Sequence, residues 1–245
     1  MSYCIVIPNY NHTVVIDKLL GDLGAYNLAV IMVNDGSDAD SAAFMQTLAD
    51  KYDYLTLVNH RHNQGKGAAV QTGLRCANGL GFSHAIQVDA DGQHDITDIN
   101  KLVALSQAQP HKLISGQPIY NESVPKHRYY ARYLTHVWVW IETLSFDIKD
   151  TMCGFRVYPL AETLGLLAKN NNIGQYMAFD TEIMVRLYWD GVTTTFLPTK
   201  VNYPENGVSH FRLWEDNVAI SWMHTRLVFG MLKRLPQLLC RKLRT

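Results

Sequence analysis

The sequence predicts an α/β fold built on a mixed, mainly parallel sheet flanked by helices. Three observations carry this reading. Short continuous apolar runs, Tyr3-Cys4-Ile5-Val6-Ile7 and Ala29-Val30-Ile31-Met32-Val33 among them, have the character of strands buried on both faces. Helical spacing separates them, as in Ile16, Leu19, Leu20 and Leu23. Each run then ends in a polar turn cluster, and strands alternating with helices indicate parallel pairing. At 245 residues the chain can bury one sizeable core, or a core with a small appendage.

In order, the first strand is Tyr3 to Ile7, ended by Pro8 and Asn9, and its helix follows on the Ile16–Leu23 face. The second strand ends in Asn34-Asp35-Gly36-Ser37. Asp40 and Ser41 can cap a second helix that carries Phe44, Leu48 and Tyr52. Leu55 to Val58 is the third strand. Asn63-Gln64-Gly65-Lys66-Gly67 then leads into a helix from about Ala68. A fourth strand around Ala85-Ile86 and Val88 delivers the acidic stretch Asp89-Ala90-Asp91-Gly92-Gln93-His94. In parallel sheets ligands bind beyond the carboxyl ends of the strands. Four polar loops are expected to meet at that edge.

The second half is less regular. Leu113 to Gly116 reads as a fifth strand, followed by a basic, tyrosine-rich run through Lys126, Arg128, Arg132 and Tyr133. Leu134 to Ile141 reads as a buried helix, with a membrane-contacting face as the alternative. Asp150 to Arg156 is expected to be a loop, and Phe179-Asp180-Thr181-Glu182 opens a helix in which Asp180 can serve as N-cap. Val192 to Val201 reads as a strand, where Pro198 points to an edge or a bulge. Asn206-Gly207 reads as a turn. The expected organisation is one domain over residues 1–212, with halves 1–116 and 117–212, and a C-terminal basic amphipathic segment over 213–245.

Composition narrows the partners. Twenty-two basic residues balance twenty-two acidic ones, so no nucleic-acid surface is expected. Cys4, Cys76, Cys153 and Cys240 lack metal-ligand spacing and read as reduced cysteines of a cytoplasmic protein, with Cys153 packed rather than nucleophilic. No signal peptide is expected ahead of the first strand, and no run reaches the roughly 20 apolar residues of a membrane span. After Asp216 no acidic residue remains, while Arg226, Lys233, Arg234, Arg241, Lys242 and Arg244 interleave with Trp222, Phe229 and leucines. This segment reads as a helix lying on an anionic membrane surface, ended by Pro236. The alternative is a helix packed on its own domain with a solvated basic tail.

Asp89 and Asp91, two apart in an extended chain, aim two carboxylates at one point, and Gly92 permits the sharp turn after them. Such a pair suits a hard ion, Mg²⁺ or Mn²⁺, that shares its shell with water and phosphate oxygens. The competing reading is an Asp-rich turn. Lys66 contacts a ligand or is solvated. His94 is a ligand or, more in keeping with a loop histidine, faces solvent.

Seven stretches in order resemble family 2 glycosyltransferases of the GT-A fold, in the branch that includes dolichyl-phosphate mannose synthase. They are Ile7-Pro8-Asn9-Tyr10-Asn11, Val33 to Ser37, Asn63 to Ala69, Asp89 to His94, Asp150 to Arg156, Phe179 to Glu182 and Ser209-His210-Phe211-Arg212. The resemblance implies a metal-dependent, inverting transfer from a nucleotide-diphosphate sugar to a lipid-linked or hydroxyl acceptor, on the cytoplasmic face of a membrane. It implies that Asp89 and Asp91 hold the metal and donor diphosphate beside Gln93. Pro8, Tyr10, Asp35 and Ser37 line the base and ribose pocket. Arg156, Arg128 and Arg132 meet phosphates, and Lys66 joins the donor site. Asp180 takes the catalytic position, with Arg156, while His210 and Arg212 close over the donor. Charge on the leaving diphosphate explains the metal and the arginines, and a hydroxyl acceptor explains a carboxylate base. His12, Asn34 and Gln117 depart from the family pattern. The first two bear on the base of the donor and the third on the acceptor. A nucleotidyltransferase is the nearest enzyme rival, although Pro8-Asn9-Tyr10-Asn11 stands where its Gly-rich loop is expected. A silent sugar-nucleotide-binding protein is the non-catalytic one.

Overall fold

A computed structural model describes residues 1–119, 126–170, 172–201 and 213–242; of residues 126–131, 213 and 242 it describes the backbone alone. The strands are β1 (Tyr3–Asn9), β2 (Ala29–Asn34), β3 (Leu55–Asn59), β4 (His84–Gln87), β5 (Leu113–Ile119), β6 (Arg156–Pro159) and β7 (Thr194–Lys200). The helices are α1 (Ile16–Leu23), α2 (Ala39–Lys51), α3 (Lys66–Gly79), α4 (Ile99–Ala108), α5 (Lys126–Thr143), α6 (Leu160–Lys169), α7 (Phe179–Trp189) and α8 (Leu213–Lys242). The strands form one sheet in the order β3-β2-β1-β4-β6-β5-β7, in which β6 alone runs against its neighbours.

The apolar runs are continuous because both faces of the sheet are covered. Along β1 the side chains alternate between two cores. Cys4 and Val6 join α3, α5, α7 and α8 residues, while Tyr3, Ile5 and Ile7 join α1, α2 and α4 residues. β1 runs two residues past its expected end. Its backbone bonds alternate sides: Asn9 O accepts from Asp35 N on the β2 side, and Val6 O from Val88 N on the β4 side. The N–H that Pro8 lacks therefore belongs on the β4 side, where the register stops at Val6 and Gln87. Pro198 lies in β7, the edge strand, as expected.

Several elements differ from expectation. Asp38 caps α2, accepting from Ser41 N at 2.8 Å, in place of Asp40 and Ser41. Arg156 belongs to β6, because Gln87 pairs with it across the sheet. The expected buried helix is α5, but it buries one side. Val139, Glu142 and Thr143 are enclosed, while Tyr133, Leu134, Trp138 and Ile141 are exposed. α8 does not end at Pro236. Its last turns are held by buried Leu238 and by Arg241, which donates to the Tyr188 and Trp189 carbonyls at 2.6 and 3.0 Å. These anchors outweigh one missing helical N–H.

Candidate active site

The carboxyl ends of β1, β2, β3 and β4 bring the polar loops together. Asn11 N donates to Ser37 Oγ and Asp38 N to Asn11 Oδ1, each at 3.0 Å, so the loops after β1 and β2 are tied to each other. Pro8 is buried at the end of β1 and Tyr10 is half-buried just beyond it. Asp35 departs from the base-pocket expectation. It is buried, and its oxygens accept from Gln64 N (2.9 Å) and Gly65 N (2.8 Å) and face His60 Nδ1 (2.7 Å). Its carboxylate shapes the turn that starts α3. Sequence reasoning missed His60, whose only signal is a histidine just past a strand.

That turn sets Lys66. Gly65 has φ +97°, and a Cβ there would lie 2.5 Å from the Gln175 carbonyl oxygen, so the turn requires glycine. Lys66 opens α3 and reaches Asp89 Oδ2 at 2.9 Å and Asp180 Oδ2 at 3.0 Å. Burial disfavours its charge, but Asp180 and Asp89 outweigh this and hold the ammonium above its ordinary pKa. Burial likewise opposes the Asp89 charge, yet Lys66 and His94 keep that carboxylate well below the usual range. Lys66 is thus an ion-pair partner rather than a solvated side chain. Asp180 is not an N-cap, since Ala178 holds that position; it sits in the first turn of α7 with its carboxylate turned to Lys66. His94 does not face solvent. Its ring stacks on Phe155 with centroids 5.1 Å apart, and Nε2 lies 3.3 Å from Asp89 Oδ2.

Arg156 departs most clearly from its expected role on phosphate. It is fully enclosed, donating to the carbonyls of Cys153 (2.7 Å), Thr151 (2.6 Å) and Asp180 (2.6 Å). It therefore fixes the Asp150–Gly154 loop and the start of α7. Tyr158 OH bonds Gln87 Oε1 at 3.1 Å, and Gln87 Nε2 donates to Asp89 Oδ1 at 3.2 Å. Gln87 was missed; its signal is an amide closing an apolar strand directly before the acidic stretch. Buried Cys153 has its thiol pushed up to about 12 by desolvation, in keeping with packing.

A second charged cluster lies where α5 meets that loop. Arg132 makes a bidentate pair with Asp150, Nε to Oδ2 at 2.6 Å and Nη2 to Oδ1 at 2.8 Å, and His136 Nε2 is 3.5 Å away. Burial opposes ionisation of Asp150, but His136 and Arg132 beside it hold its pKa low. A cavity of about 190 Å³ opens here, lined by Gln117, Arg132, His136 and Lys149 among others. The side chain of Arg128, and all of His210 and Arg212, lie outside the described residues.

The acidic stretch suits a divalent ion by its chemistry. Asp89 and Asp91 offer carboxylate oxygens, with Gln93 N donating to Asp91 Oδ1 at 3.0 Å. Backbone packs directly on Asp89, since a Cβ at Gly154 would lie 2.5 Å from its Oδ2. Asp180 Oδ1 is buried with no hydrogen-bond partner. Among the described residues no three His, Cys, Asp or Glu side chains converge on one point. An ion here would complete its shell with water and ligand oxygens, the habit of Mg²⁺-like ions.

Residues 4–164, more than half of the chain, match the family model for glycosyl transferase family 2. The chain belongs to glycosyl transferase family 2. It is 30% identical over 200 residues to a dolichyl-phosphate beta-glucosyltransferase of Trichomonas vaginalis, covering 74% of this chain and 59% of that one. It is 27% identical to the human dolichyl-phosphate beta-glucosyltransferase, over 74% of this chain and 61% of the relative. The chain thus spans about three fifths of the length of these relatives. Among solved structures, glucosyl-3-phosphoglycerate synthase from Mycobacterium tuberculosis aligns with a TM-score of 0.66 at 12% identity, covering 94% of this chain and 79% of that one. A Pyrobaculum calidifontis mannosyltransferase in complex with GDP-Man and Mn²⁺ aligns with a TM-score of 0.56 at 17% identity, over 84% and 58%. The fold is that of the GT-A glycosyltransferases.

Proposed function

We propose that this glycosyltransferase moves a sugar, with inversion, from a nucleotide-diphosphate sugar to the phosphate of a membrane-embedded lipid. The observation that carries the reading is the Lys66 ammonium between the Asp89 and Asp180 carboxylates, at the edge where the β1, β2 and β4 loops meet. In this reading residues 1–116 bind the donor and residues 117–212 the acceptor. Asp89 and Asp91 hold Mg²⁺ or Mn²⁺, which neutralises charge on the leaving diphosphate. Pro8, Tyr10 and Gln93 sit beside the nucleotide, and Lys66 faces the donor phosphates. The neighbour that holds GDP-Man and Mn²⁺, and another solved with UDP-GlcNAc, support a nucleotide-sugar donor of this kind.

The acceptor reading rests on the second cluster. Arg132 pairs with Asp150, and Lys149 adds a further positive charge at a cavity that His136 also lines, a setting for a phosphate. The relatives named for dolichyl phosphate support a lipid phosphate in particular. A phosphate is already an anion and needs no base. Asp180 then orients Lys66 and the acceptor. A hydroxyl acceptor is the second reading. It is favoured by Asp180 Oδ1, which makes no hydrogen bond of its own and lies 4.0 Å from Arg156 Nη1, leaving a carboxylate oxygen for the role of base.

Attachment to the lipid surface falls to α8 in this reading, but through its apolar stripe rather than its charges. Trp222 and Phe229 are 62% and 61% exposed, in line with Val218 and Leu232, and a groove of about 490 Å³ runs along Trp214, Val218 and Trp222. The arginines of α8 point elsewhere. Arg226 pairs with Glu182, Arg234 lies over the Trp189 ring at 4.7 Å, and Arg241 holds α7 carbonyls. No helix among the described residues is long and apolar enough to cross a membrane. The test is transfer of labelled sugar from UDP- and GDP-sugars to a polyprenyl phosphate in vesicles. Product in an organic phase supports the reading, and transfer only to soluble hydroxyl compounds favours the second.

A further inference from the structure

We propose that Arg226 of α8 and Glu182 of α7 form a positioning clamp, which holds the wall against which Lys66 is set between Asp89 and Asp180. The inference deepens the proposed transfer reaction and rests on that reading for its catalytic consequence.

Glu182 lies two residues after Asp180 and is fully buried. Its carboxylate is held from three sides. Arg186 Nη2 lies 2.7 Å from Oε1, Arg226 Nη2 3.0 Å from Oε2, and Gly174 N donates to Oε2 at 2.9 Å. Arg226 also donates to the Asn172 carbonyl at 2.6 Å. One arginine of the C-terminal helix thus grips both Glu182 and the segment that leads into α7. That segment is the wall behind the Lys66 turn. The Gln175 carbonyl accepts from Ala68 N at 2.9 Å, in the first turn of α3. Cβ atoms built on Gly65 and Gly67 would lie within 3 Å of the same carbonyl, of Tyr176 and of Phe179. Shifting residues 172–178 outward removes the contact that sets the start of α3, and with it the Lys66 ammonium.

Burial makes the clamp stiff. Glu182 is closed off from solvent, so losing one arginine leaves a buried carboxylate short of partners, which costs far more than losing a surface pair. Geometry then matters to catalysis, since a displacement of about 1 Å at reacting groups can lower a rate roughly 100-fold. Because α8 also carries the exposed apolar stripe, seating of that helix is mechanically continuous with the site.

The test uses the full chain carrying Arg226→Met, with Leu227→Ala as a stability-matched control, because buried Leu227 packs α8 through apolar contacts and makes no bond to Glu182 or Asn172. Amide hydrogen exchange is read at residues 65–69, and transfer is measured in parallel. We expect Arg226→Met to speed exchange at Ala68 and to lower kcat roughly 10–100-fold with the donor KM little changed, while Leu227→Ala does neither at a comparable Tm loss. In a Lys66→Met background, Arg226→Met should add no further loss. Arg226→Lys should restore part of both signals. Unchanged exchange at Ala68 in Arg226→Met, or equal loosening by Leu227→Ala, overturns the clamp; so do losses that multiply in the double variant. Absence of any transfer by the wild type would instead count against the proposed reaction, and the exchange measurement would still decide the clamp.

Discussion

The sheet edge and the outer side of α5 and α8 solve opposite problems. At the edge, Lys66 pairs with both Asp89 and Asp180, and His94 lies against Asp89, enclosed by backbone from Gly154 and Gln175. Charge is concentrated and the geometry over-determined. On the outer side, Tyr133, Trp138, Trp222 and Phe229 stand uncovered, while the arginines of α8 turn inward. Chemistry is thus mounted on the rigid sheet and surface contact on the helices that cover it. α7 lies between them, with Asp180 facing the first region and Glu182 gripped from the second.

Removing a carboxylate at the edge should have the largest effect. Asp89→Asn leaves Lys66 with one partner and the proposed metal with one ligand, and transfer of labelled donor should fall to background. Retained turnover in a folded variant would break the assignment of chemistry to this edge. Asp180→Asn sharpens the picture by acceptor class. With a lipid phosphate the rate should fall less than about 10-fold. With a hydroxyl acceptor the loss should be the roughly 10²–10⁴-fold typical of a missing general base.

Asp150→Asn tests the second cluster through stability rather than rate. Breaking a buried ion pair at one partner costs about 3–5 kcal/mol, so Tm should drop sharply. The sign with pH follows from the depressed pKa of Asp150. Its contribution is complete above the ordinary carboxylate value near 3.9 and is lost as pH falls toward the lower folded value. The gap between wild type and Asp150→Asn in urea unfolding should therefore narrow on acidification below about pH 4; a gap independent of pH would show that Asp150 is not held ionised by Arg132 and His136.

The outer side should show the smallest effects. Trp222→Ser and Phe229→Ser should each weaken vesicle binding about tenfold, the lower end of the about 1.5–3 kcal/mol that full burial of a large apolar side chain contributes, with little dependence on salt. Strong salt dependence would restore the basic-tail picture drawn from sequence. Truncation after Leu235 should lower Tm, because it removes buried Leu238 and the Arg241 bonds to α7.

What was legible in the sequence follows the same division. β1, β2, β3 and their polar ends are specified by local periodicity and turn chemistry, so the meeting of Asp35, Lys66 and Asp89 at one edge was readable. What those side chains do there was not. The family resemblance makes Asp35 and Arg156 ligand contacts, but long-range partners occupy them: His60 and two amides in one case, three carbonyls in the other. β6 was missed because four residues carry no period, and its strand character comes from pairing with β4 and β5. The interleaved basic and apolar pattern of α8 was visible. Which set faces the domain depended on Glu182 and on the Tyr188 and Trp189 carbonyls, none of them local to the helix.

Calorimetry with UDP and GDP, each with and without Mn²⁺, on the wild type and on Asp91→Ala tests the central claim most directly. The account predicts that the wild type binds one of the two nucleotides in a Mn²⁺-dependent manner and that folded Asp91→Ala loses this dependence. Equal affinity with and without Mn²⁺, or unchanged affinity in Asp91→Ala, would contradict the assignment of the strand-end carboxylates to the donor.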